Sequence, residues 1–290
     1  MFKTLNGWHI IYDIFGIKIK KKITPKHYDT LNLVFDEKEG IGNRIFGLIN
    51  CINYTTPQKV NMYWSNKGWV SAKFSEIFDY NPNFELKEYH HSSIIKRWIH
   101  RGKWYKEATV FFPPITFKTT DGVELDYATV SEELFNQYSK EFHKLKPSAK
   151  VIDRIKSVNL PEKFVALQVR NSKDWEKYGR NESLTSFFDA MDEFDKDTKF
   201  YLSSMDKETS EAFRERFGER IIELPDKNSA SMIDAMADLY ILSYSDNAIY
   251  SYGSTFGILA FWLSENMQKI KVIGSSRNWK EQKGFNLKNE

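Results

Sequence analysis

Short apolar and β-branched runs alternate with stretches of helical period through the second half of the chain. The runs are FVALQVR (Phe164 to Arg170), KFYLSS (Lys199 to Ser204), RIIELP (Arg220 to Pro225), NAIYSY (Asn247 to Tyr252) and KIKVIG (Lys269 to Gly274). Between them lie the helical stretches Glu182 to Phe194, Lys207 to Phe217, Ser229 to Ser243 and Thr255 to Glu265. Regular alternation of this kind implies right-handed crossovers and a parallel sheet covered on both faces. Ligands of such sheets sit at the carboxyl ends of the strands. The residues to read for chemistry are therefore Arg170 with Asn171 and Ser172, Ser203 to Asp206, and Ser251 to Phe256.

In the first half, Leu31 to Phe35 and Lys59 to Trp64 predict strands with a helix between them, and from Lys67 to Lys118 the pattern is irregular. The connection after the first strand reads DEKEGIGNR, an acidic, glycine-rich turn from which Asn43-Arg44 opens an amphipathic helix. Gly40 and Gly42 let a backbone approach a ligand closely, and a helix start offers N–H groups to an anion. The other reading is a tight strand-to-helix turn with an ordinary exposed arginine. Ser131 to Leu145 predicts a helix that Pro147 breaks, and a second helix through Ile155 leads to the Pro161 turn. This divides the chain into a first domain at 1–150, a second at 151–275 and a tail at 276–290.

Four stretches, in order, resemble the fucosyltransferases of the α-1,6, α-1,2 and protein-O-fucosyl groups. EGIGNR (Glu39 to Arg44) stands where that superfamily has its glycine-Asn-Arg turn, and VALQVRNSKDW (Val165 to Trp175) where it has a His-x-Arg strand end. KFYLSSMD (Lys199 to Asp206) matches the second strand end, and ADLYILSYSDNAIYSYGSTFGILAFWL (Ala237 to Leu263) the Asp-helix-strand-Ser-Ser/Thr-Phe motif. The resemblance implies an α/β GT-B fold, two Rossmann-like domains facing a central cleft. It also implies an inverting glycosyl transfer, with L-fucose from GDP-fucose as the first choice of donor. Asp238 would then contact the nucleotide or, as a buried structural carboxylate, brace the site. Two departures bear on the donor's sugar and base. Gln168-Val169-Arg170 replaces His-x-Arg, and Asn171-Ser172-Lys173-Asp174 replaces the usual Arg-Gly-Asp continuation.

The chemistry of the residues agrees with this. A guanidinium at a strand end, Arg170, can grip a diphosphate in a bidentate fork and stabilise its charge as it leaves, or can form an ordinary rim salt bridge. Ser254 and Thr255, before Phe256, can take the same diphosphate or simply cap a helix. Gly42, Ser203, Asp206 and Ser251 complete the expected donor-binding set. The acceptor hydroxyl must lose a proton, and Asp36, Glu37 and Glu39 are available. Glu39, matching a glutamate of the protein-O-fucosyl branch, is the candidate base, against a solvated loop carboxylate. Asn43 and Arg44 would orient the reacting groups.

Composition narrows the setting. The 290 residues suit two domains of ordinary size. Aromatics reach 16%, enough for a sugar-binding cleft as well as a core, and Trp98 to Phe117 is open to either use. The net charge of +3 is local: through Lys26 six lysines face one aspartate. This basic terminus can rest on an anionic membrane surface or stand as a solvated hairpin or helix. Its apolar residues are too interrupted to span a bilayer and no signal peptide is read, so the expected location is cytoplasmic, with peripheral contact at the inner membrane. No basic stripe with interleaved aromatics recurs, which argues against nucleic acid. The single Cys51 lies in an apolar helix and excludes a disulfide framework. His90, His91 and His100 lack a completing ligand set and no D-x-D motif sits at a strand end, so neither metal nor cofactor is expected. The expected acceptor is a hydroxyl of a cell-surface glycan precursor (lipopolysaccharide, O-antigen or capsule), free or lipid-linked. The alternatives are a non-catalytic glycan-binding protein of the same fold and a transferase using another nucleotide sugar.

Overall fold

The computed structural model describes residues 2–6, 9–14, 17–22, 29–90, 108–111, 130–171 and 183–274. The chain divides into two compact units, Met1–Asp126 and Tyr127–Glu290.

The first unit opens on an antiparallel meander, β1 (Phe2–Asn6), β2 (His9–Ile14) and β3 (Ile17–Lys22), where hairpin and helix were both open from the sequence. A four-stranded parallel sheet follows. Its central strand β4 (Thr30–Phe35) leads through helix α1 (Ile41–Thr55) to its neighbour β5 (Lys59–Trp64). A short helix α2 (Phe74–Ile77) and strand β6 (Phe78–Tyr80) precede β7 (Glu85–His90), which pairs with β5. The last strand, β8 (Ala108–Phe111), lies on the other side of β4, giving the order β7-β5-β4-β8. Two of these parallel strands fall in the stretch whose pattern is irregular. β7 is an edge strand carrying charge instead of an apolar face, and Glu85 pairs with Lys59 and Lys87. β4 shows why the centre is legible: Leu31, Leu33 and Phe35 are fully buried. Buried Asn32 accepts a hydrogen bond from Asn61 Nδ2 on β5 at 2.9 Å.

The second unit begins with helix α3 (Glu132–Phe142), capped by Ser131 Oγ, which accepts from Leu134 N. Strand β9 (Leu145–Pro147) and helix α4 (Ala149–Lys156) lead to the sheet. That sheet alternates as the sequence predicts: β10 (Val165–Val169), α5 (Leu184–Asp192), β11 (Phe200–Ser204), α6 (Lys207–Phe217), β12 (Ile221–Ile222), α7 (Met232–Ser243), β13 (Asn247–Ser251), α8 (Thr255–Leu263) and β14 (Lys269–Ile273). All five strands are parallel, in the order β12-β11-β10-β13-β14. Val165, Leu167 and Val169 face a cluster with Phe187, Met191, Phe200, Phe213 and Phe217. A parallel sheet of this kind is buried on both faces, which is why its strands read as continuous apolar runs. On α8, Trp262 stacks on Phe135 and Phe142 of α3 at centroid distances of 5.6 and 5.7 Å. This stacking attaches α3 to the second unit, so the division falls at 126–127, ahead of the 150–151 expected from the Pro147 break.

In both sheets the chain starts at a central strand, runs outward on one side, then returns to pair on the other. The reversal lies beside β4 in the first unit and between β10 and β13 in the second. Such reversals open a crevice at the carboxyl ends of the strands. Among the described residues no helix is long and apolar enough to cross a membrane.

Candidate functional site

At the reversal in the second unit, parallel register sets Gln168 beside Tyr250 and Ser203. The ends of β10 and β13 are tied by Ser251, whose Oγ accepts from Arg170 N at 2.8 Å. This fixes the backbone from which the half-buried Arg170 side chain leaves the sheet. Helix α8 starts directly above. Its first turn packs so close that a Cβ on Gly257 would lie 3.1 Å from the Tyr250 ring and 3.2 Å from Gln168 Oε1. Glycine at 257 is what lets the helix start approach β10.

Two buried acceptors belong to this corner. Gln168 and Ser254 are 4% and 1% exposed, and neither Gln168 Oε1 nor Ser254 Oγ has a hydrogen-bond partner among the described residues. Ser254 occupies the N-cap position of α8, yet its hydroxyl makes no capping bond. Buried polar atoms are almost always satisfied, and an unmet one costs roughly 1 to 3 kcal/mol. Together with the N–H groups of a nine-residue helix start, these oxygens suit the corner to an anion bearing hydroxyl groups.

The neighbouring strand end is braced, not open. Asp238 on α7 is 2% exposed and accepts from Tyr201 Oη at 2.6 Å, Ser203 Oγ at 2.8 Å and Lys227 Nζ at 2.5 Å. Burial pushes its carboxyl upward and Lys227 opposes that rise. With three donors on its two oxygens, the carboxylate serves as the brace, one of its two sequence readings. Ser203 is spent on the same brace. Asp206 caps α6, accepting from Thr209 N at 2.9 Å and Thr209 Oγ1 at 2.6 Å. Lys227, which also donates to Ser204 O at 2.6 Å, has no motif in the sequence to announce it. Thr255 and Phe256 are half-buried in the first turn of α8.

In the first unit the turn after β4 gathers Glu39, Gly42, Asn43 and Arg44. Helix α1 begins at Ile41, two residues before the Asn-Arg pair expected to open it. Glu39 closes the turn on itself: its Oε2 accepts from Asp36 N at 2.8 Å and its N–H donates to Asp36 O at 3.2 Å. Asn43 is half-buried, and its Oδ1 has no partner among the described residues. Arg44 is fully buried, where the sequence left open an exposed arginine. Its guanidinium donates to the backbone oxygens of Glu39, Asp36 and Ser65 at 3.0, 2.8 and 2.5 Å and lies 4.6 Å from the centroid of the Trp64 ring. Burial lowers its pKa to about 10, against the pull of Glu39 and Asp36. Arg44 thus holds in shape the turn that carries Glu39 and Asn43.

Cys51 is fully buried, as expected of a core residue. Ser172 to Asp174, His91, His100, most of Trp98 to Phe117 and the tail 276–290 lie outside the described residues. Among the described residues no three His, Cys, Asp or Glu side chains gather in a group that could hold a metal ion.

Neither a protein-family model nor a curated protein sequence matches this chain. Solved structures do. A NodZ α-1,6-fucosyltransferase soaked with GDP-fucose matches with a TM-score of 0.51 and 14% identity, over 82% of this chain and 93% of that one. A variant of Arabidopsis thaliana FUT1 in complex with GDP matches at 0.54 and 14%, over 87% and 72%. POFUT1 in complex with GDP matches at 0.54 and 11%, over 86% and 99%. These likenesses concern the fold. Two units, each built on a parallel sheet that reverses beside its first strand, give this chain the GT-B fold of the fucosyltransferases.

Proposed function

We propose that this chain is an inverting glycosyltransferase that moves a sugar, L-fucose from GDP-fucose by preference, onto a hydroxyl of a cell-surface glycan precursor. The observation that carries the reading is the corner between β10 and β13. Two buried, unmet oxygens and a helix start meet there, at the strand end that Arg170 directly follows, and the neighbours of the same fold were solved with GDP or GDP-fucose. The diphosphate would lie against the first turn of α8, with Arg170 and the N–H groups of Thr255 and Phe256 on its oxygens. The ribose or sugar hydroxyls would donate to Gln168 Oε1 and Ser254 Oγ.

The transfer balances simply. The acceptor oxygen attacks the anomeric carbon from the face opposite the diphosphate, the bond between that carbon and the phosphate oxygen breaks, and GDP leaves with the electron pair. Arg170 and the helix start stabilise the charge that develops on the leaving oxygen. The acceptor's proton passes to the Glu39 carboxylate, held by the Asp36 turn, while Asn43 Oδ1 orients the acceptor hydroxyl. The basic meander at the N-terminus would keep the protein at an anionic cytoplasmic membrane surface, where lipid-linked acceptors are found.

A second reading follows from Gln168, an amide where the fucosyltransferase pattern has histidine: the same corner would serve another nucleotide sugar. One experiment tests the main reading. GDP-fucose incubated with the protein alone should release fucose slowly to water, and Arg170→Ala should cut that rate by about 10²-fold, the usual cost of one charge-stabilising donor. Wild-type hydrolysis by a folded Arg170→Ala protein would overturn it.

A further inference from the structure

Helix α8 is seated on one narrow contact. A Cβ at 257 would lie 3.1 Å from Cγ and Cδ2 of the Tyr250 ring and 3.2 Å from Gln168 Oε1, so close that a neighbour must give by a few tenths of an ångström. Gln168 Oε1 is the far end of a flexible side chain and can turn aside. The ring is held. Tyr250 is buried, and its hydroxyl donates to Gln268 Oε1 at 2.9 Å. Gln268 is buried in turn, and its Nε2 donates to Leu242 O at 2.8 Å and Ser245 O at 2.7 Å. A strut of hydrogen bonds thus runs from the backbone at the end of α7 to the ring against the first turn of α8. The other end of α8 is fixed separately, by Phe261 and Trp262 against Phe135 at centroid distances of 5.0 and 5.6 Å. A side chain added at 257 therefore displaces the helix at its start.

We infer that Gly257 and Tyr250 are positioning residues for the donor's diphosphate: the ring sets the height of the α8 start over the ends of β10 and β13, and the glycine lets the turn settle onto it. Ile258 N bonds back to Ser254 O at 3.0 Å and closes the first turn. The N–H groups of Thr255, Phe256 and Gly257 come before it and lack intrahelical acceptors, so they are the donors that an anion at this helix start would use. Such bonds hold their strength over a narrow range of distance, about half an ångström wide. The ring acts through the backbone of the turn that rests on it, and Gly257 by having no side chain. A glycine kept for packing alone would register in stability alone. One that sets the height of the turn registers in affinity, while alanine's stronger helix preference offsets part of the strain in the fold. The assignment rests on the reading of this corner as the diphosphate site.

The test is a double-variant cycle on the whole chain. Wild type, Gly257→Ala, Tyr250→Phe and the double variant are titrated by calorimetry with GDP and with inorganic pyrophosphate, and urea unfolding verifies that each is folded. Gly257→Ala should bind both anions about tenfold more weakly, since a misplacement of about 1 Å can cost about 10²-fold and a few tenths correspondingly less. Tyr250→Phe keeps the ring but cuts its bond to Gln268, so the ring can yield. In that background Gly257→Ala should cost no more than about threefold. Equal affinities in wild type and folded Gly257→Ala, or the same tenfold loss in both backgrounds, overturn the positioning. If Gly257→Ala does not fold, Tyr250→Phe alone decides: a loss of about threefold for both anions upholds the strut, and unchanged affinity overturns it. Pyrophosphate that binds and follows the substitutions, with GDP binding no tighter, upholds the positioning and rejects the nucleotide reading. Failure of the wild type to bind either anion removes both.

Discussion

Removing the Asp238 carboxylate should unfold the second unit's sheet edge more than any other single polar truncation there. Asp238→Ala strands the Lys227 ammonium, whose side chain is 16% exposed, together with the Tyr201 and Ser203 hydroxyls. Breaking a buried ion pair from one side costs about 3 to 5 kcal/mol, because the remaining charge is left in a poor solvent. With a urea m-value of about 2 kcal/mol/M, the unfolding midpoint should fall by roughly 2 M. Lys227→Met should also destabilise, by orphaning the carboxylate. The double variant Asp238→Ala with Lys227→Met should cost less than the sum of the singles, leaving a coupling of about 2 kcal/mol.

The same pair predicts a pH dependence. Burial raises the Asp238 carboxyl above its ordinary 3.8, so its contribution is fullest below that value and is lost as pH rises through the raised one. Without Lys227 the carboxyl rises further, and the penalty of Lys227→Met should be larger at about pH 7 than at about pH 4. Urea titrations followed by intrinsic fluorescence at both pH values measure all of these quantities. Additive single effects, or a Lys227→Met penalty that does not change with pH, would refute the bracing argument.

Three further outcomes follow. Glu39→Gln keeps the acceptor atom that receives Asp36 N but loses basicity, so transfer should fall by about 10² or more with GDP affinity unchanged, read by single-turnover kinetics and calorimetry. Near wild-type transfer would return Glu39 to a turn-closing role. Gly68→Ala should destabilise the first unit by about 2 kcal/mol or more, since Gly68 has φ +75° and a Cβ there would lie 2.2 Å from Glu37 O; an unchanged midpoint would refute that close approach. For Asp234, burial alone would raise the carboxyl, but the Arg154 guanidinium and Asn228 N–H outweigh it and hold it below 3.8. That contribution is complete above the ordinary value and lost as pH falls through the lowered one, so Arg154→Met should move acid unfolding to higher pH. An unmoved acid midpoint counts against it.

What the sequence made legible were the features that depend on one element at a time. The continuous apolar runs gave the central parallel strands, the strand ends located Arg170 and Ser251, and the helix start at Thr255 followed from period and position. Features set by tertiary contact were hidden. The edge strand β7 carries charge because its edge meets water, so its sequence has no strand-like apolar face. Lys227 meets Asp238 only through folding, and nothing about either residue alone pairs them. Arg44 reads from the sequence either as a group that orients the reactants or as an exposed cation, yet three backbone oxygens and an indole bury it. Gly68 shows no signal until Glu37 O is seen against it. The attachment of α3 is likewise a matter of Trp262 stacking on Phe135 and Phe142, which the proline break at Pro147 does not reveal.

The donor assignment is tested most directly by thermal unfolding of the protein with GDP, UDP, CMP and dTDP in parallel, for the wild type and for Arg170→Ala. A nucleotide present at 100 times its dissociation constant adds about 2.7 kcal/mol to the folded state, which raises the transition by roughly 5 to 10 °C. The wild type should show that shift with GDP, with the other nucleotides weaker and the GDP shift largely lost in Arg170→Ala. Stabilisation by UDP alone, or an equal GDP shift in both proteins, would contradict it.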